Sequence, residues 1–119
     1  MIGEVIQTST GRYLRCVRQS DPISSERDVL DLLASSEDME SNRILLEEEY
    51  LHPTFFDLKT GLAGAIFQKF ADYRVKAAVV ADLDRIPSAR FQELVLECNR
   101  GNQIHFFQDM AEAEEWLTA

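Results

Sequence analysis

The sequence has few of the residues from which catalytic and metal centres are most often built. Its 119 residues include two cysteines and two histidines. Cys16 and Cys98 lie far apart in apolar patterns and form no CxxC pair, so we expect reduced, buried thiols. His52 and His105 are isolated from each other, which argues against a zinc site. The sequence also has no G-x-S-x-G motif, P-loop or Cys–His signature, so nothing supports nucleophilic catalysis.

Long apolar runs and an excess of positive charge are also absent. No apolar run approaches the roughly 20 residues of a membrane span. The N-terminus carries Glu4 and no basic-then-apolar leader, so we expect a cytoplasmic protein with no membrane association. The net charge is −9, and residues 21–50 carry ten acids against two bases. Because such a protein repels a phosphate backbone, we expect no nucleic-acid partner.

Strand and helix patterns alternate along the chain. The run over residues 75–82 is almost uncharged, which is typical of a parallel-sheet strand covered on both faces. The full pattern predicts strands over residues 2–7, 12–18, 43–47, 75–82 and 103–107, and helices beginning near residues 25, 59, 88 and 109. We therefore predict a single α/β domain over residues 1–119. Its sheet is mostly parallel with about five strands and an antiparallel N-terminal hairpin strand, and about four helices accompany it.

Local signals mark the helix ends. Ser25 with Asp28 forms an approximate capping box, and Ser88 and Asp109 are predicted to cap the last two helices. Gly101 follows a strongly amphipathic helix and is predicted to end it in the left-handed conformation.

The candidate site lies where the predicted parallel strands end. Open α/β sheets gather functional residues beyond the carboxyl ends of their strands. Here those ends offer Glu47–Glu49, then Asp82 and Asp84, then Gln108. The helix predicted over residues 59–72 also begins at this edge.

The start of that helix carries the residues best suited to recognition: Asp57, Lys59, Thr60, Gly61 and Gly64. Backbone N–H groups and the helix dipole there favour an anion or a phosphorylated hydroxyl, so we predict partner or anion binding and phosphorylation of Thr60. The two glycines cost about 1 kcal/mol each inside a helix, and are tolerated near its start or where another backbone approaches. In a purely structural alternative, Asp57 caps the helix and Thr60 fills its first turn.

In its length, its element order and the segment from Phe56 to Gly64, the chain resembles the STAS domain, the fold of bacterial anti-sigma-factor antagonists and of sulfate-transporter tails. In the antagonists this helix begins with an Asp-Ser-Ser-Gly-Leu-Gly type motif, and a partner kinase phosphorylates the Ser before the first Gly. The resemblance implies that Asp57 stands for the Asp, Thr60 for that Ser and Gly61 for the Gly. The segment departs from the motif by one extra residue between Asp57 and Gly61 and by a later second Gly.

A bacterial family of this length, known only as a domain of unknown function, is similar over nearly the whole chain. Its members carry segments similar to Phe55–Gly64 and to Asn99–Asn102. This likeness implies the fold and no particular activity.

Three functions follow as hypotheses, and for the two favoured ones we expect no cofactor. The first is a non-enzymatic regulatory or interaction module with a protein partner, in which phosphorylation of Thr60 weakens the contact with an acidic partner. The second is a carrier of small apolar ligands, whose pocket is lined by Tyr50, Phe55, Phe56 and Tyr73. The alternative for Phe55 and Phe56 is that they anchor the loop in the core.

The third hypothesis, and the least supported, is a metal-dependent enzyme. Asp57, Asp82 and Asp84 would bind Mg²⁺ if their side chains converged, because hard cations take oxygen ligands. The alternative is that they cap turns and face solvent. A homodimer is a further expectation if the hairpin edge exposes an apolar patch.

Overall fold

The computed structural model describes residues 3–16, 21–38 and 40–119. Within these ranges the chain forms five strands and four α-helices. In chain order they are β1 (Gly3–Gln7), β2 (Arg12–Cys16), α1 (Glu26–Asp38), β3 (Arg43–Glu47), α2 (Leu62–Asp72), β4 (Lys76–Val80), α3 (Ala89–Arg100), β5 (Ile104–Phe107) and α4 (Met110–Thr118). The first two strands were predicted to include residues 2, 17 and 18, which lie outside the described residues.

The five strands form one sheet in the order β1-β2-β3-β4-β5. β1 pairs antiparallel with β2, and every later neighbour is parallel. The predicted mixed α/β architecture, with its N-terminal hairpin, is therefore confirmed. Because β2 to β5 are parallel, their carboxyl ends share one edge of the sheet, hereafter the carboxyl edge.

The helices form two layers, one on each face of the sheet. One face buries residues of α1, α2 and α3 such as Val29, Ile66 and Phe91. The opposite face buries Ala113 and Leu117 of α4. β4 lies between the two layers, and its residues 77–79 are fully buried, so the prediction of a strand covered on both faces is confirmed.

The predicted helix caps form, with one exception. Ser25 accepts a hydrogen bond from the backbone N–H of Asp28 at 3.3 Å, and Ser88 and Asp109 cap α3 and α4 in the same way. Gly101 was predicted to be left-handed, but its φ of −93° and ψ of −171° are extended. Its N–H bonds the carbonyl of Cys98 three residues back, so a tight last turn ends α3 and no left-handed residue is needed.

Two further predictions concern burial. Cys16 is buried and Cys98 half-buried, no disulfide joins them, and burial raises the pKa of the Cys98 thiol. On the hairpin edge, Val5 is 40% exposed. Within residues 3–16 of the hairpin it is the large apolar side chain that is exposed, so a homodimer through this edge stays a prediction. Among the described helices, none has the length and apolar character needed to cross a membrane.

Candidate functional site

Three short 3-10 turns connect β3 to α2. They span Glu48–Tyr50, Pro53–Phe56 and Leu58–Thr60. The helix predicted from residue 59 therefore begins later, at Leu62. Gly61 causes the delay, since its φ of 75° is left-handed and ends the last 3-10 turn before α2 starts.

The second and third turns are capped by side chains from within the loop. His52 Nδ1 accepts the N–H of Thr54 at 3.2 Å. Asp57 Oδ1 accepts the N–H of Lys59 at 3.1 Å. Asp57 thus caps a 3-10 turn rather than the α-helix, which corrects the structural alternative drawn from the sequence.

Thr60 joins the two ends of this loop. Its hydroxyl lies 2.7 Å from the carbonyl oxygen of Thr54 and 2.9 Å from that of Asp57, and donates to them. Its Oγ also accepts the N–H of Leu62 at 3.3 Å. Thr60 is exposed rather than packed inside, as the prediction of a modifiable hydroxyl requires.

Gly61 and Gly64 also lie on this surface. Both are exposed, and a Cβ added at either position would meet no atom within 4 Å. Gly61 has no side chain to cap α2. The start of the helix is therefore open to solvent, although the Thr60 hydroxyl oxygen already accepts a hydrogen bond from one of its N–H groups.

A cleft of about 480 Å³ opens at the carboxyl edge beside this loop. One wall belongs to the loop and includes Pro53, Phe56 and Asp57. The other belongs to the segment after β4 and includes Asp82 and residues 85–87. Glu48, the first residue after β3, also lines the cleft.

Side chains hold both walls in place. Phe56 packs its ring 5.4 Å from Phe91 of α3. Across the cleft, the side-chain amide of Gln92 donates to the carbonyl oxygens of Leu83 at 2.8 Å and Ile86 at 3.1 Å. Tertiary contacts therefore fix the shape of the cleft, because residues of α3 contact both of its walls.

Glu48 and Arg85 form the polar centre of the cleft. Glu48 Oε1 lies 2.6 Å from Arg85 Nη2, and Glu48 Oε2 accepts the N–H of Asp82 at 2.6 Å. Asp82 also pairs with Arg85, at 3.1 Å between Oδ2 and Nε. The guanidinium therefore sits between two carboxylates at the ends of neighbouring strands.

The remaining acidic residues of the carboxyl edge lie in a shallower depression that adjoins the cleft. It is lined by Glu47, Glu49, Asp84 and Gln108, and shares Glu48, Asp82 and Arg85 with the cleft. Glu47 is paired with Arg15 at 2.6 Å. This pairing raises the pKa of the Arg15 guanidinium, chiefly through the hydrogen bond to Glu47.

The four aromatic residues predicted to line one apolar pocket do not come together. Phe55 is fully buried and packs on Phe67 and Phe91, so it anchors the loop in the core. Tyr50 is half-buried against the same core. Tyr73 lies at the opposite edge of the sheet, beside Val75, and only Phe56 of the four lines the cleft.

The acids proposed as magnesium ligands are likewise not assembled as a metal site. Asp57 and Asp82 line the cleft, whereas Asp84 lies in the adjoining depression. Among all described residues, no group of three acidic, histidine or cysteine side chains is placed to hold a metal ion.

Sequence reasoning missed the part of the site that depends on pairing between distant residues. Glu48 was noted only as part of an acidic run, and Arg85 was given no role. The two prolines of the cleft, Pro53 and Pro87, flank its walls at positions 34 residues apart in the chain. A partial local signal did exist, since Pro87 follows the charged turn Leu83–Arg85.

Comparison with known proteins places the chain in a family without assigning a function. Residues 8–117 match the sequence model of the family described as Domain of unknown function (DUF4180). The chain belongs to the DUF4180 family. No curated protein and no solved structure matches it. For this DUF4180 domain, the geometry of the carboxyl edge is therefore the main guide to function.

Proposed function

We propose that this domain is a non-enzymatic regulatory module that docks a protein partner at the carboxyl edge, with phosphorylation of Thr60 as its switch. The observation that carries the proposal is the position of the Thr60 hydroxyl. It bonds the carbonyls of Thr54 and Asp57, which belong to the loop that forms one wall of the cleft.

Phosphorylation would act through these two bonds. A phosphorylated Oγ has no hydrogen to donate, and the phosphate adds a charge of about −2 together with acceptor oxygens that repel carbonyl oxygens. Loss of this hydrogen bond, which the single hydroxyl hydrogen shares between the two carbonyls, weakens the loop by about 1 kcal/mol. The wall containing Phe56 and Asp57 would then change shape, so the modification would alter partner docking without a direct contact to the partner.

Two further features support this proposal. The loop is exposed at Lys59, Thr60 and Gly61, so a kinase has access to the hydroxyl. The element order and the N-terminal hairpin agree with a STAS-like fold, and we propose that likeness as the evolutionary source of the switch. A bacterial, cytoplasmic setting is part of the same proposal.

The experiment is phosphorylation of the purified chain in an extract of its source cells supplied with ATP. We expect peptide mass spectrometry to find one phosphate on Thr60, and none at that peptide in Thr60→Val. Thr10→Val, in the hairpin loop, is the matched control and should still take the phosphate. An unmodified Thr60 in the wild-type chain would remove the switch.

A further inference from the structure

The inside of the cleft combines apolar walls with an excess of acidic groups. Pro53, Phe56, Ile86 and Pro87 supply its apolar surface. Its charged groups are three carboxylates, from Glu48, Asp57 and Asp82, and one guanidinium, from Arg85. The adjoining depression adds Glu47, Glu49 and Asp84, and among the part of the chain that the structure describes, Glu47 is paired with Arg15.

This charge distribution selects among occupants. An acidic protein or a free anion would be repelled by the surplus of carboxylates, which opposes the acidic partner expected from the sequence. A purely apolar ligand would exclude water from three carboxylates that share one counter-charge, Arg85, and this desolvation costs free energy. A protein segment with a basic side chain beside an apolar one satisfies both parts of the surface.

Arg85 shows how such a basic side chain would bind. Its guanidinium contacts Glu48 at 2.6 Å and Asp82 at 3.1 Å, yet its side chain is 72% exposed. Exposed ion pairs contribute little to stability, so a second cation can replace this one at small cost. Arg85 thus marks the position that a partner's Lys or Arg would take, and competes for it.

We propose that the cleft binds a protein segment carrying Lys or Arg next to a large apolar side chain, in exchange for the Arg85 ion pairs. This inference rests on the proposed docking at the carboxyl edge and names the chemistry of the partner. The apolar side chain packs against Phe56 and Pro87, and the cation takes the place of Arg85 beside the carboxylates of Glu48 and Asp82. Asp57, which also lines the cleft, adds to the negative charge that attracts it.

The test begins with a phage-displayed library of random peptides selected on the full chain. We expect the selected peptides to contain Lys or Arg beside Leu, Phe or Trp. The dissociation constant of one such synthetic peptide is then measured by isothermal titration for the wild type and for variants shown to be folded by circular dichroism. Amide chemical shifts report where the peptide binds.

Arg85→Gln and Arg90→Gln form the decisive pair, because each removes one positive charge and Arg90 lies on α3 outside the cleft. We expect Arg85→Gln to bind the peptide about threefold to fivefold more tightly, since the competing cation is gone. Arg90→Gln should stay within about twofold of the wild type. Asp57→Asn should weaken binding severalfold, and the peptide should shift the amide signals of residues 54–57 and 82–86.

The proposal is overturned if Arg85→Gln weakens binding, if both arginine variants act equally, or if no basic peptide is selected. These failures are distinct from failure of the proposed switch. A phosphorylated Thr60 with no basic peptide bound would contradict the partner class alone. A bound basic peptide with no phosphate on Thr60 would contradict the switch alone.

Discussion

Gly61 and Gly64 lie three residues apart at the start of α2 and have different physical roles. Gly61 has a φ of 75°, a conformation that L side chains rarely adopt. Gly64 lies inside the helix, and its missing Cβ would meet open space. Of the two, Gly61 is therefore required by the backbone conformation. Gly64 makes the helix less stable than alanine would, and its missing side chain makes room for no neighbouring atom.

We predict that Gly64→Ala raises the free energy of unfolding by about 1 kcal/mol, because alanine is the better helix former by that amount. Urea denaturation measures the change. Gly61→Ala is the matched control and should lower the same quantity by about 1 kcal/mol, since alanine is strained at positive φ. A Gly64→Ala variant less stable than the wild type would show that the position is crowded after all.

At the scale of secondary-structure elements, a side chain of α3 covers the outer edge of β5. β5 is an edge strand, and the backbone N–H and carbonyl groups of its residue Phe106 point away from β4. Asn99 of α3 covers these groups: its Oδ1 accepts the Phe106 N–H at 2.8 Å and its Nδ2 donates to the Phe106 carbonyl at 3.4 Å. The side chain thus satisfies an edge that would otherwise be open to pairing with another chain.

We predict that Asn99→Leu, which keeps the approximate size but removes both hydrogen bonds, lowers the free energy of unfolding by about 1–3 kcal/mol. It should also increase self-association, because the strand edge is uncovered. Urea denaturation and light scattering measure the two effects. Asn102→Leu, in the loop before β5, is the control, and an equal effect of both variants would contradict the edge role of Asn99.

At the scale of the whole molecule, a polar contact joins the sheet to α4. The Tyr13 hydroxyl donates to Glu114 Oε2 at 2.7 Å. Burial, and next the hydrogen bond to Glu114, raise the pKa of Tyr13 well above its usual value of about 10. A raised pKa in the folded state means that Tyr13 contributes stability below the pKa it has when unfolded, and that this contribution falls as pH rises further.

We therefore predict that the free energy of unfolding falls more for the wild type than for Tyr13→Phe between about pH 8 and about pH 11. Lys76 acts in the opposite direction, because burial lowers its pKa and its contribution rises with pH. Comparison of the two proteins cancels the Lys76 effect. Urea denaturation at both pH values tests the prediction, and parallel pH dependences would contradict it.

The sequence by itself determined the features that depend on neighbours along the chain. The order of strands and helices follows from apolar periodicity, and the caps at Ser25, Ser88 and Asp109 follow from side chains that reach N–H groups two or three residues away. The exposed position of Thr60 was also predictable, because a polar loop between a buried strand and a helix lies at the surface.

Only the tertiary structure decided what lies together at the carboxyl edge. Glu48 and Arg85 are 37 residues apart, and they meet because β3 and β4 are adjacent and parallel. The same packing buries Phe55, leaves Phe56 in the cleft and carries Tyr73 to the opposite edge. Pairings of this kind depend on strand order and on helix packing over the sheet, which no spacing along the chain encodes.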